Sequence, residues 1–539
     1  MHAGGEFTSA TQLPVTETSP PAGTCWTEEN LDPDLQYHIQ HCTCSCNHMG
    51  YGNFSDYQVA HGVYTAHPHA HPHPHPHMAR VLNGGMPHFN GAVHFPSSHR
   101  PQFRPMDTYS DSSSDGPKAM YELRPCLLIV LCIVLILVCI VLGVSYSGSS
   151  SQVPESLSRT DIVKRLLREV PLIDGHNDLP WNIRKFVHNH LVNFNLSSDL
   201  SSIEPWSKSS WSHTDLPRLR KGMVGAQFWS AYVPCSSQHM DAVQITMEQV
   251  DIIRRFTELY SDDLKLVTSV QEIRAVHRLG KIASMIGVEG GHSLGNSMAV
   301  LRMFYKLGVR YLTLTHACPT PWAGCCLGPT NTTSDPDDNQ GLSQFGVLVV
   351  RECNRLGMLV DLSHTSVETM KHVLNISSAP VIFSHSSAYA LCSSPRNVPD
   401  PVLKLVALND GIVMVSFYSL YLTCSLNSSI DDVIAHLDHI KNVAGEDHVG
   451  LGAGYDGINY TAKGLEDVSH YPDLLAALLD HPSWTETQVK KLAGLNFLRV
   501  LGKAEQIRDE MKDTVKPIED WLAQTTDLKP LNTDCITET

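Results

Sequence analysis

The chain is short of positive charge. Its 539 residues hold 39 lysines and arginines against 55 aspartates and glutamates, a formal net charge of −16. No lysine/arginine stripe lies along it, which argues against a nucleic-acid surface; no nucleic-acid partner is expected. It also lacks a closed zinc module, since the cysteines of "CTCSC" at 42–46 do not have the required ligand spacing. Long apolar runs are equally scarce. The single instance, "CLLIVLCIVLILVCIVLGV" at 126–144, runs nineteen residues without a charge, and no second span follows it. At about 1.5 Å per residue it nearly matches a bilayer core of roughly 30 Å. It lies too far from the N-terminus to be a cleaved signal peptide.

Residues 126–146 are therefore read as one transmembrane anchor in the lipid bilayer. Arg124 abuts the run on its N-terminal side and the nearest downstream base is Arg159, which leaves residues 1–125 in the cytoplasm. The C-terminal body is then expected outside the plasma membrane of a single-pass protein. Five Asn-x-Ser/Thr acceptors in that body, Asn195, Asn331, Asn375, Asn427 and Asn459, fit an exterior glycoprotein, although Asn53 in the tail is a sixth such site.

The tail, 1–125, is rich in Pro, Ser, Gly and His and has no sustained periodicity, so it reads as disordered. "HPHAHPHPHPH" at 67–77 sets six histidines at alternate positions of a polyproline-type stretch. Transition-metal binding there and at 42–46 is one reading; a low-complexity spacer with acylated cysteines is the other.

Beyond a Ser/Gly stalk at 147–157, short apolar runs alternate with longer amphipathic stretches. The runs are "PLIDGHND", "GAQFWSAYV", "KIASMIGVEG", "VRYLTLTHA", "MLVDLSH", "PVIFSHSSA", "GIVMVSFY" and "HVGLGAGYDG"; "DAVQITMEQVDIIRRFTELY" at 241–260 is one of the helical patterns between them. Continuous apolar strands separated by helices mean a parallel sheet buried on both faces. Eight of them predict an α/β fold of the (β/α)8 TIM-like barrel type over 158–520, with 521–539 as a C-terminal extension.

Catalytic residues of such barrels sit at the C-terminal ends of the strands. Here His176 and Asp178 end the first run, Glu289 the third, His316 the fourth, His364 the fifth and His385 the sixth. Four histidines and two carboxylates at one end of successive strands point to a single cluster. Imidazoles and carboxylates are ligands of zinc, and no cysteine lies among them. The number exceeds what one catalytic zinc needs and suits two metals sharing a carboxylate.

The motifs "DGHNDLP", "GAQFWSAYVPC", "IGVEGGHSL", "RYLTLTHAC", "LVDLSH", "APVIFSHSSAYALC" and "RNVPD" resemble the zinc-dependent membrane dipeptidase (renal dipeptidase) family, over about 158–505. The resemblance implies a barrel of the metal-dependent hydrolase type that cleaves dipeptides. It also implies two zinc ions per subunit, one on His176 and Asp178, the other on His364 and His385, with Glu289 bridging both. His316 would contact the substrate and polarise the scissile carbonyl, and Arg396 would hold the terminal carboxylate. The family's two disulfides map onto Cys235–Cys318 and Cys392–Cys424, and Cys535 falls where the family has an intersubunit bridge, implying a homodimer. Family members are typically held by a C-terminal lipid anchor; this chain ends "LNTDCITET" without a hydrophobic tail, so the N-terminal span takes that role here. Cys325 and Cys326 fall in the loop after the fourth strand and match no family role; Cys353 reads as buried in a helix.

One position departs from the family. Where it has Gly-Gly-Asp-aromatic-Asp-Gly, this chain reads "GAGYDG" at 452–457. The first aspartate, which in the family meets the substrate's amino group, is Gly454; the second is retained as Asp456. Two expectations follow: a membrane-anchored exterior zinc metallodipeptidase in which Asp456 joins the substrate site, or a catalytically weakened surface binding protein.

Overall fold

The computed structural model describes residues 124–148, 158–327 and 341–520. The expectations for the tail, for Asn331, for the 521–539 extension and for Cys535 lie outside them. The helix Arg124–Gly148 belongs to one unit and the residues from 158 onward to another. That helix's described side chains, 127–141, are apolar or cysteine and exposed. Among the described residues no helix is long and apolar enough to cross a membrane, and the anchor stands as a proposal.

In the second unit nine parallel strands form one sheet. They are β1 Leu172–Asn177, β2 Val224–Tyr232, β3 Leu264–Leu266, β4 Ile282–Glu289, β5 Val309–Thr313, β6 Leu359–Asp361, β7 Ile382–Phe383, β8 Ile412–Val415 and β9 Val449–Leu451. Their order is β2-β1-β9-β8-β7-β6-β5-β4-β3, and β2 also pairs with β4 along seven positions, Ala226↔Ala283 to Tyr232↔Glu289. That pairing closes a ring of eight, one strand from each apolar run, with helices around it. The ninth, β3, is additional. It borders β4 at Ile282–Ser284, below the point where β5 takes over the same edge at Ile286. Three residues, "LKL", are too few to show a period, so pattern alone does not find them.

Alternation decides what faces where. From β2, Ala226 and Phe228 turn into the barrel; so do Ala283 and Met285 of β4, Tyr311 of β5, Leu359 of β6, Ile382 of β7, and Ile412 and Met414 of β8. The helix Asn496–Met511 joins this interior cluster through Phe497, Val500 and Leu501. The intervening residues, such as Trp229, Val288, Leu312, Val360 and Val413, pack outward against the helices. With both faces buried, the strands read as unbroken apolar runs. Further along the inward positions the apolar set ends and polar residues begin: Ser230 follows Phe228, and Glu289 follows Gly287, on the same face.

The helices start where serines cap them. Ser269, Ser297, Ser343 and Ser366 each accept a hydrogen bond from the amide three residues on, opening the helices at Val270, Met298, Gln344 and Val367. The pattern at 241–260 forms the helix Ala242–Leu259, and Cys353 is buried in Gln344–Leu356 as expected.

Candidate metal centre

The C-terminal ends of the strands bring the expected ligands together. His176 and Asp178, two positions apart at the end of β1, turn to one place, with Nε2 3.1 Å from Asp178 Oδ2. Glu289, the last residue of β4, is 3 % exposed and presents its two oxygens to different partners. Oε2 is 3.4 Å from His176 Nε2 and accepts a hydrogen bond from Ser230 Oγ at 3.0 Å. Oε1 lies 3.1 Å from His364 Nε2, 3.5 Å from His385 Nε2 and 3.9 Å from His316 Nε2. A carboxylate with donor sets on both sides has the geometry of a bridge.

The residues fit the two-metal expectation on their own chemistry. His364 Nε2 and His385 Nε2 lie 3.0 Å apart and approach the same oxygen, a convergence of ring nitrogens that a shared cation explains. Burial, reinforced at His364 by the Arg396 guanidinium and at His385 by His176, pushes both imidazoles well below the usual histidine range. They are therefore neutral, which is the ligating form. Asp178 Oδ1 is buried without a hydrogen-bond partner, the kind of orphan a cation would satisfy. His364 is held at φ +68°, a left-handed conformation that a non-glycine residue keeps only where the surroundings enforce it.

Two ligands are oriented by residues that pattern reading passed over. Tyr311 Oη is 3.0 Å from His176 Nδ1, and Ser384 Oγ is 2.8 Å from His385 Nδ1. Ser384 Oγ also donates to Asp361 Oδ2 at 2.6 Å. With each Nδ1 engaged, Nε2 is the nitrogen directed at Glu289. Tyr311 reaches His176 only because position 287 on β4 is glycine: a Cβ there would stand 1.9 Å from its ring. The available signal was a polar residue inside an apolar run, Tyr311 in "VRYLT" and Asp361 in "LVD".

His316 is half-buried, its ring 4.3 Å from that of His364 and edge-on to Tyr232 at 4.9 Å. Arg396 is 3 % exposed and reaches His385 O at 3.1 Å and Ser386 Oγ at 3.4 Å, with Tyr421 5.0 Å beneath the guanidinium. Among the described residues no carboxylate pairs with it. Both expected disulfides are formed. Cys235–Cys318 links the segment after β2 to the one carrying His316, and Cys392–Cys424 anchors the loop carrying Arg396. Cys326 donates its backbone N–H to His364 O at 2.8 Å, and burial pushes its thiol up to about 12. The cysteine pair thus braces the His364 turn.

Asp456 is not brought into the cluster. Its Oδ2 accepts from Thr214, its Oδ1 from Asn182 at 3.1 Å, and its amide donates to His213 Nδ1 at 3.0 Å. Those partners make it a brace of the β9–β1 end. Burial raises its carboxyl to about 7. The unfolded group titrates near 3.8, so the native state binds more protons between these values. The contribution of Asp456 to stability should fall as pH rises from about 4 to about 7 and then level off. Asp456→Asn should flatten that slope in denaturant titrations at pH 5 and pH 8; an unchanged slope would contradict the assignment.

Residues 160–515 match the membrane dipeptidase family, peptidase family M19. The mouse protein Dipeptidase 3 is 46 % identical over 350 residues, 64 % of this chain and 66 % of that one. Its Macaca fascicularis counterpart is 47 % identical over 348 residues, 64 % of this chain and 68 % of that one. The chain thus spans just under two thirds of the mouse relative's length. Among solved structures, a Rhodobacter sphaeroides metallo peptidase liganded with a phosphinate mimic of the dipeptide L-Ala-D-Ala shares 26 % identity at a TM-score of 0.54, covering 62 % of this chain and 99 % of its own. The M19 dipeptidase AC shares 27 % at 0.55, covering 62 % and 98 %. By the extent of that match, reinforced by the barrel and its ring of histidines, the chain belongs to the membrane dipeptidase family, peptidase family M19.

Proposed function

We propose that the barrel is a zinc dipeptidase holding two zinc ions, with His176 and Asp178 on one side of Glu289 and His364 and His385 on the other. The observation that carries this reading is Glu289, whose two oxygens face separate donor sets. The metals, when bound, supply Lewis acidity and an activated water at neutral pH. The chain's own residues do the rest. Arg396, buried without an anionic partner, receives the substrate's terminal carboxylate. His316, neutral through burial, faces the cluster where it can donate a hydrogen bond to the scissile carbonyl. Ser230 holds Glu289, while Tyr311 and Ser384 hold the ligand histidines.

Membrane anchoring through 126–146, an exterior barrel and a homodimer joined at Cys535 belong to the same proposal. Two disulfides that need an oxidising compartment support the exterior placement, as do exposed acceptor residues Asn195, Asn375 and Asn427. Asn459 is half-buried. The test is purification of the full chain from membranes, elemental analysis and a dipeptide panel. Two zinc ions per chain with turnover abolished by chelation are expected. One metal or none in folded protein would overturn the binuclear centre, and full metal without turnover of any dipeptide would count against the dipeptidase reading.

A further inference from the structure

On the reading above Arg396 provides one charged end of a substrate site, and among the described residues the opposite end has no counterpart. Among the described residues, the carboxylates at the barrel mouth each face partners of their own. Glu289 and Asp178 face the histidines. Asp174 accepts from Gln227 Nε2 at 2.6 Å and from the Ala453 amide at 2.8 Å. Asp361 accepts from Thr313, from the Ser384 hydroxyl and amide, and from the Ser363 amide. Asp456 is held by Thr214 and Asn182.

The turn at 454–457 packs directly on the first ligand pair. The Gly454 amide donates to His176 O at 3.3 Å, and a Cβ at Gly457 would stand 2.0 Å from Asp178 Oδ2. A Cβ at Gly454 would meet only Ile458 Cγ2 at 3.6 Å and Ser416 Oγ at 3.8 Å, with nothing else inside 4 Å. Among the described residues this corner therefore offers an apolar carbon and a hydroxyl, and its nearest carboxylate, Asp178, already faces His176. An ammonium placed here would be desolvated without a counter-ion of its own, a costly arrangement. A neutral acyl group loses nothing comparable.

We propose that this site prefers amides whose acyl half carries no free ammonium group: N-acyl amino acids and N-blocked dipeptides. The inference rests on the hydrolytic reading above. Water adds to the carbonyl carbon, the C–N bond breaks, and the proton passes to the departing nitrogen, releasing a carboxylate and an amino acid whose own carboxylate sat on Arg396. No oxidant or reductant is involved.

Glycyl-alanine and acetyl-alanine make the test, because they differ only by an ammonium against a hydrogen on the acyl carbon. With the zinc-loaded full chain, kcat/KM for acetyl-alanine should exceed that for glycyl-alanine by about tenfold or more, the scale of one charged contact. Phosphinate mimics of the two compounds should show the same order of binding by calorimetry. Gly454→Asp should reverse both preferences; aspartate tolerates the φ of +79° better than most residues. If that variant does not fold, the wild-type ratios decide alone. A wild-type preference for glycyl-alanine, or for its phosphinate, overturns the inference. If neither substrate is hydrolysed, the hydrolytic reading fails, and the phosphinate affinities still show whether the corner rejects ammonium.

Discussion

Replacing Glu289 with alanine is expected to remove metal from both positions and to lower hydrolysis by on the order of a thousandfold or more, the loss of the Lewis-acid and activated-water contribution together. His364→Ala is expected to be milder in metal content, retaining about one zinc per chain. The contrast follows from geometry: Glu289 Oε2 faces His176 and Oε1 faces His364 and His385, whereas His364 serves one side only. The Glu289→Ala chain should still fold. The cavity lies among polar side chains at the barrel mouth, above the apolar interior formed by Phe228, Met285 and Tyr311. Elemental analysis of both variants after passage over a chelating resin is the decisive measurement. Retention of two metals by folded Glu289→Ala would show that the carboxylate is not the bridge.

The second large effect is expected at Arg396. Arg396→Met preserves length and apolar packing over Tyr421 but deletes the buried cation. For substrates with a free terminal carboxylate, kcat/KM should fall about 150- to 5,000-fold, because a desolvated substrate anion would be left unpaired at a cost of about 3–5 kcal/mol. Arg396→Lys should recover only part of the loss, since a point charge does not reproduce the two-pronged fork. Substrates amidated at that end should respond little to either change. Equal losses on free-acid and amidated substrates would mean that Arg396 braces the His385 backbone, which it also touches, and does not bind substrate.

The cluster of histidines and carboxylates was legible in the sequence because strand-end position and residue type carry the same message. His176 and Asp178 end an apolar run two residues apart, and in an extended strand that spacing alone turns both to one side. The parallel closed sheet was legible for a related reason. Strands buried on both faces lose their alternation and appear as continuous apolar runs, and eight such runs separated by helices admit few topologies. Asp456 shows the limit of the same reasoning. Spacing along β9 allowed it to face the substrate, yet φ at 456 is +65°, and that turn directs its carboxylate to Thr214 and Asn182.

By itself, then, the sequence determined the barrel, the histidines and carboxylates that meet at its mouth, and the absence of an acid at Gly454, since each is written in local residue type and period. Other features depended on which strands become neighbours, and only the tertiary structure could decide them. Tyr311 orients His176 across the barrel because Gly287 on the adjacent strand leaves room for its ring. Asp361 and Ser384 come from successive strands to set His385. Asp174, Asp361 and Asp456 are each used up by partners remote in the chain. Hydrogen-bond partners of buried groups are chosen by proximity in space, and spacing along the chain carries no record of that choice.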